Sequence, residues 1–195
     1  MSALADLRAT ALGCTRCPLA KGRTQVVFGE GAADAALLVV GEGPGREEDL
    51  LGRPFVGRSG QLLDRLLGEE AGLERSDVYI ANVVKCRPPG NRDPKPDEIA
   101  TCRPYLDAQI DLIAPRVVLT LGNFSTKLLL DTTDGIGKLR GVVYPFGERG
   151  AVLVPTFHPA AALRGGGEVL AKMRADFVRA KRALASRGPT AGEQP

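Results

Sequence analysis

Four cysteines, a single histidine, one buried-looking asparagine and a carboxylate run behind a glycine-rich turn are the residues here whose types and spacing could do chemistry. The cysteines are Cys14-x2-Cys17, followed directly by Pro18, then Cys86 and Cys102. Four thiols with one C-x2-C pair read as a metal, cluster or redox site, and thiolates suit zinc and iron–sulfur alike. The second C-x2-C that a two-pair zinc site would use is absent. With His158 alone, any site needing two imidazoles is excluded. Gly41-Glu42-Gly43-Pro44-Gly45 could cradle a phosphate. However, Arg46 stands where a dinucleotide fingerprint needs Gly or Ala, and the Gly-Lys-Ser/Thr ending of a phosphate loop is missing. Glu42, Glu47, Glu48 and Asp49 crowd this turn and suit it better to polarising water or facing a developing cation. Asn82 lies late in an apolar run, where a side-chain amide needs partners for both its donor and its acceptor.

These residues need elements to position them. The apolar run 36–41 ends in glycine and suits a strand buried on both faces, and 78–84 is a second such strand. Residues 116–121 form a third, and 151–156 the last, with 142–146 as its hairpin partner around Glu148-Arg149-Gly150. Helices are expected over 3–12 and over 60–71, with Ser59 as N-cap and Leu62, Leu63, Leu66 and Leu67 on one face. Further helices are expected from Pro96 to about Ala114, over 123–130 and over about 167–186. Prolines make 87–96 a loop. Buried strands alternating with helices predict a three-layer α/β/α sandwich around a mainly parallel four-stranded sheet, in one domain over 1–186. The Gly/Pro-rich tail 187–195 is expected to be disordered. Ligands of open parallel sheets bind beyond the carboxyl ends of the strands. The glycine-rich turn, Asn82, Gly122-Asn123 and His158-Pro159 all fall at those ends, which predicts an active site there.

The chain is 44% hydrophobic and 25% charged, as a globular soluble domain should be. No apolar stretch reaches the ~18 residues of a membrane span. Asp6 and Arg8 spoil the N-terminus as a signal peptide, so a cytoplasmic protein is expected, where disulfides are disfavoured. A net charge of +3 does not by itself imply nucleic acid, but basic residues gather in two places. Lys85, Arg87, Arg92 and Lys95 lie in one Pro/Gly-rich stretch, and Lys172, Arg174, Arg179, Lys181, Arg182 and Arg187 lie towards the C-terminus. A solvated face explains the second group as readily as a partner does.

At this point the chain resembles a known family. Gly41-Glu42-Gly43-Pro44-Gly45-x-Glu47-Glu48-Asp49 looks like the first active-site motif of family-4 uracil-DNA glycosylases. Gly52-Arg53-Pro54-Phe55-Val56-Gly57-x-Ser59-Gly60 is similar to the segment that follows it there. Asn82-Val83-Val84-Lys85-Cys86-Arg87-Pro88-Pro89-x-Asn91-Arg92 resembles their central motif, and His158-Pro159-Ala160 their last. The match runs from about Cys14 to Arg164.

The resemblance implies a monofunctional DNA glycosylase that flips uracil out of single- or double-stranded DNA and hydrolyses its N-glycosidic bond, working as a monomer. It implies that Phe55 stacks on the flipped base, that the Asn82 amide bonds uracil O4 and N3–H, and that Gly43 lines the pocket. His158 would stand at uracil O2, stabilising the leaving anion, while Glu42, or next Glu48, faces the oxocarbenium ion or orients water. Family-1 glycosylases carry an aspartate where this chain has Gly43, whereas family 4 is glycine there. A related branch that traps DNA through an inserted histidine is excluded, because none lies between Asn82 and Leu121. The resemblance also makes Cys14, Cys17, Cys86 and Cys102 the ligands of a [4Fe–4S] cluster pinning the N-terminal segment to the 86–102 loop. Arg87 and Arg92 would then meet DNA phosphates, and Leu163 or Arg164 would fill the gap left by the base. The competing readings are an iron–sulfur nucleotide-binding or redox protein with a flavodoxin-like sheet, and a non-enzymatic DNA-binding module. Release of free uracil separates the first reading from both.

Overall fold

The computed structural model describes residues 2–186; the expected tail 187–195 lies outside them. The chain opens with helix α1 (Ala3–Leu12), capped by the Ser2 hydroxyl, which accepts from Ala5 N. A short edge strand β1 (Glu30–Gly31) and the buried strand β2 (Leu37–Gly41) follow. Helices α2 (Arg46–Leu51) and α3 (Arg58–Leu66) lead to β3 (Tyr79–Asn82), and α4 (Pro96–Ile113) leads to β4 (Val117–Leu121). Then come α5 (Asn123–Leu130), α6 (Ile136–Leu139), β5 (Tyr144–Phe146), β6 (Ala151–Thr156) and the long α7 (Pro159–Ala185).

The sheet order is β1-β3-β2-β4-β6-β5. The four inner strands are mutually parallel, and the two edges run antiparallel to their neighbours. The expected sandwich is therefore right, but the sheet has six strands rather than four. β1 escaped detection because its two residues, Glu30 and Gly31, carry no apolar signature. β5 is the expected hairpin arm, and it extends the sheet rather than standing apart from it.

Alternation along the inner strands feeds two cores. Leu38, Val40, Ala81, Val118 and Leu153 face α1, α4 and the cysteines. Leu37, Val39, Ile80, Leu119 and Val154 face α3 and α7. Leu63, Leu66 and Leu67 are fully buried in that second core, as the helical stripe predicted.

Two boundaries differ from the pattern. The cap of α3 is Gly57 rather than Ser59, because the backbone turns into the helix two residues early. The helix expected over about 167–186 is present, but α7 opens earlier, with a further helical segment from Pro159 capped by His158, and a break at Gly166, where φ is 69°, separates the two. Among the described residues no helix is long and apolar enough to cross a membrane.

Candidate active site and the cysteine cavity

Because the inner strands are parallel, their carboxyl ends open on one side, and a cleft of about 780 Å³ lies there. Glu42, Gly43, Glu48, Phe55, Asn82, Arg92, His158 and Arg164 all line it. Arg87 and Leu163 do not, although Leu163 stands 43% exposed on the first turn of α7, next to Arg164.

The floor is made by a residue without a side chain. A Cβ on Gly41 would lie 2.5 Å from Asn82 Oδ1 and 2.6 Å from Phe55 Cζ, so the amide and the ring converge over the end of β2. Asn82 is buried, and among the described residues its Oδ1 has no hydrogen-bond partner. A buried acceptor left unmatched is costly in a fold, and a donor on a bound ligand is one group that could satisfy it. The Phe55 ring faces His158 with centroids 5.8 Å apart and planes tilted by 33°. Phe55 itself sits in the left-handed region at φ 52°, a conformation that residues with a Cβ resist.

His158 caps α7, and its Nδ1 accepts from Ala160 N at 3.1 Å. That bond places the proton of the neutral ring on Nε2, the nitrogen left for the cleft. Burial, aided by the charge of Arg164, pulls its pKa down to about 4. The ring is thus a neutral donor throughout the physiological range.

The two carboxylates have different fates. Burial, reinforced by Asp93, raises Glu42 to about 7, and among the described residues no hydrogen bond holds its side chain. Glu48 Oε1, by contrast, accepts from Val56 N at 3.0 Å and Gly57 N at 3.1 Å. Its carboxylate braces the turn that carries Phe55. At Gly43 a Cβ would stand 2.7 Å from Val84 Cγ2, so Val84 occupies the room that an aspartate there would need.

Several basic residues turn out to be engaged elsewhere. Arg92 makes a two-pronged pair with Glu98, at 2.6 and 2.9 Å, at the start of α4. Arg87 Nε donates to Asn91 Oδ1 at 2.6 Å. Lys85 is no surface cation at all. It is 1% exposed, and its Nζ donates to Asn82 O at 2.8 Å and Gln109 Oε1 at 2.5 Å. Burial pulls its pKa to about 8. On α7, Lys172, Arg174 and Arg179 pair with Glu168, with Glu69 and Glu70, and with Asp176, as a solvated charged face would. The exposed cations at the cleft that make no ion pair among the described residues are Arg46, Arg58 and Arg164. The first two were missed in the sequence because each is an isolated arginine at a helix start.

The four cysteines meet away from this cleft. Cys14, Cys17, Cys86 and Cys102 line one small cavity with Arg16, Arg23 and Tyr105, beside α1 and α4. Lys85 N donates to Cys102 Sγ at 3.3 Å, and Arg23 Nη1 to Cys86 Sγ at 3.4 Å and Cys14 O at 2.7 Å. Burial pushes the Cys86 thiol up to about 11 and raises that of Cys102. Among the described residues no three His, Cys, Asp or Glu side chains converge tightly enough to hold one metal ion.

A parallel-sheet fold that gathers a flat ring, a buried amide and a neutral imidazole along one cleft has the chemistry to hold a planar heterocycle bearing adjacent donors and acceptors. The comparisons with known proteins narrow the class. Residues 28–185 match the uracil DNA glycosylase superfamily. The chain is 47% identical over 169 residues to a type-4 uracil-DNA glycosylase of Sulfurisphaera tokodaii, covering 84% of this chain and 77% of that one. It is 46% identical over 180 residues to the type-4 enzyme of Saccharolobus solfataricus, covering 89% and 83%. To that of Thermotoga maritima it is 49% identical over 161 residues, covering 82% and 83%. The chain belongs to the uracil DNA glycosylase superfamily.

Proposed function

We infer that this chain is a DNA-repair glycosylase, a hydrolase that removes uracil from DNA by cleaving its N-glycosidic bond. The observation that carries the mechanism is the buried amide of Asn82, unmatched among the described residues, which converges with the ring of Phe55 over Gly41 in the cleft that His158 also lines. Uracil presents N3–H and O4 side by side, an acceptor and a donor complement that one carboxamide satisfies. Cytosine presents the opposite polarity at those positions. Phe55 stacks on the flipped base, and His158 Nε2–H donates to O2. As the glycosidic bond breaks, the electron pair moves onto the base, and the neutral imidazole stabilises the resulting uracil anion without first giving up a proton. Glu42, which makes no hydrogen bond or ion pair among the described residues, faces the sugar and orients the attacking water. Glu48 acts one step back, through the Phe55 turn.

The cysteine cavity fits a [4Fe–4S] cluster on Cys14, Cys17, Cys86 and Cys102. In a cubane each thiolate takes its own iron, so the sulfurs surround a volume instead of converging on one ion. Four thiols around one cavity, with N–H donors aimed at two of the sulfurs, support that reading. The cluster would supply cross-linking between the N-terminal segment and the 86–102 loop. In the same reading the protein is one domain over residues 1–186, monomeric and cytoplasmic, and acts on uracil in single- or double-stranded DNA.

The test is release of free uracil from oligonucleotides carrying one uracil, with cytosine and thymine in matched controls. Uracil alone should be released. Asn82→Ala should lose far more excision than DNA affinity, because its bonds form only after flipping. Equal losses would make Asn82 a structural amide and remove the support for this mechanism.

A further inference from the structure

Phe55 holds a left-handed backbone, at φ 52°, in a turn with no glycine at that position. Such a conformation persists only where the surroundings over-determine it. Three contacts do so. A Cβ on Gly60 would come within 1.8 Å of Phe55 O, so α3 packs directly against the peptide that follows the ring. Glu48 accepts from the amides of Val56 and Gly57 on one side. On the other side stands Arg75, from the short turn that precedes β3. Its Nη1 donates to Phe55 O at 3.1 Å, its Nη2 donates to Pro54 O, and its Nε donates to Glu30 Oε1 at 2.5 Å. Nη1 also reaches Asp64 Oδ1 at 3.0 Å. Two carboxylates offset the charge of Arg75, so what it brings to the turn is the planar fork of donors, which a lysine ammonium cannot reproduce.

We infer that Arg75 is a positioning residue for catalysis: by fixing the carbonyls of Pro54 and Phe55 it aims the aromatic ring at the base, although Arg75 itself does not line the cleft. This rests on the reading that Phe55 stacks on uracil. Base stacking demands a ring plane held parallel to the substrate, and a misplacement of ~1 Å in a positioning group can cost up to a hundredfold in rate. The turn is thus clamped at its carbonyls by a cation and at its amides by an anion, with the stacking ring between them.

The experiment is a double-mutant cycle in single-turnover excision, with DNA affinity and thermal unfolding measured on each protein. Arg75→Met should lower the excision rate about tenfold or more with Phe55 in place, at unchanged DNA affinity. In the Phe55→Ala background the same substitution should cost less than twofold, because there is no ring left to aim. Arg75→Lys, which keeps a cation beside Glu30, should show an intermediate loss in the first background and none in the second. Parallel losses in both backgrounds, or no loss with Phe55 present, would overturn the assignment; so would failure of both Arg75 variants to fold, since Arg75 would then be a strut of the whole domain. Failure of the stacking reading looks different: Phe55→Ala alone would excise uracil at the wild-type rate.

Discussion

His158 and Glu42 share one cleft, yet burial moves them in opposite senses along the pH axis. His158, drawn down to about 4, is neutral in any ordinary buffer. Removing its donor should cost on the order of 10²–10³ in single-turnover excision. His158→Ala should show that loss with DNA affinity intact, and His158→Asn, which keeps a donor, should retain more activity. A His158→Ala rate near wild type would hand the leaving group to another residue. In the proposed mechanism Glu42 works as a carboxylate, and its pKa is raised to about 7. Its charged form therefore fades as pH falls through 7, and excision should fall with it, roughly tenfold per unit below that point. Single-turnover rates from pH 5 to 9 should show this one limb and no inflection near 6.5, the ordinary histidine value. Glu42→Gln should flatten the limb; a limb that survives unchanged belongs to another group.

At the scale of elements, the cleft mouth redistributes the work expected of the basic loop. Arg92 is tied to Glu98, whose side chain is 2% exposed, so Arg92→Ala would strand a buried carboxylate. That substitution should lower thermal stability more than it changes DNA binding. Arg46 and Arg58, at the first turns of α2 and α3, are free to meet phosphates, and each contact should contribute about 0.9 to the slope of log affinity against log salt. Replacing both with alanine should flatten that slope in a binding titration; an unchanged slope would place the phosphates elsewhere. The four inner strands were legible because Leu37–Gly41 or Val117–Leu121 is buried on both faces and reads as a continuous apolar run, and the longer helices between them were legible too, whereas the short α2 and α6 were not. The strand-end location of the cleft followed from that topology. What was not legible depends on partners distant in sequence. Lys85 reads as a surface cation until Gln109, far along α4, takes its Nζ. Glu48 reads as a free carboxylate until the Val56 and Gly57 amides fold back onto it. Gly57 displaced Ser59 as the α3 cap because the backbone path, not a side-chain oxygen, starts that helix.

For the whole molecule, the cysteine cavity joins α1, α4 and the end of β3 into one body. Purified without oxygen, the protein should be brown and carry about four irons per chain. Cys86→Ser or Cys102→Ser should lose iron and thermal stability together, because site formation and folding are coupled. Stoichiometric zinc in a colourless protein would refute the cluster. The segment from Asn82 to Cys86 has a consequence for how such a chain can vary. Asn82 is held in the cleft, Lys85 turns back to bond the Asn82 carbonyl, and the next residue is already in the cysteine cavity. Loops commonly absorb inserted residues without harm, and the exposed turn around Glu148 and Gly150 is free to do so. Between Asn82 and Cys86 the chain has no slack: one residue more or fewer would pull either the amide or the thiol out of place, so this stretch can change its letters but not its length.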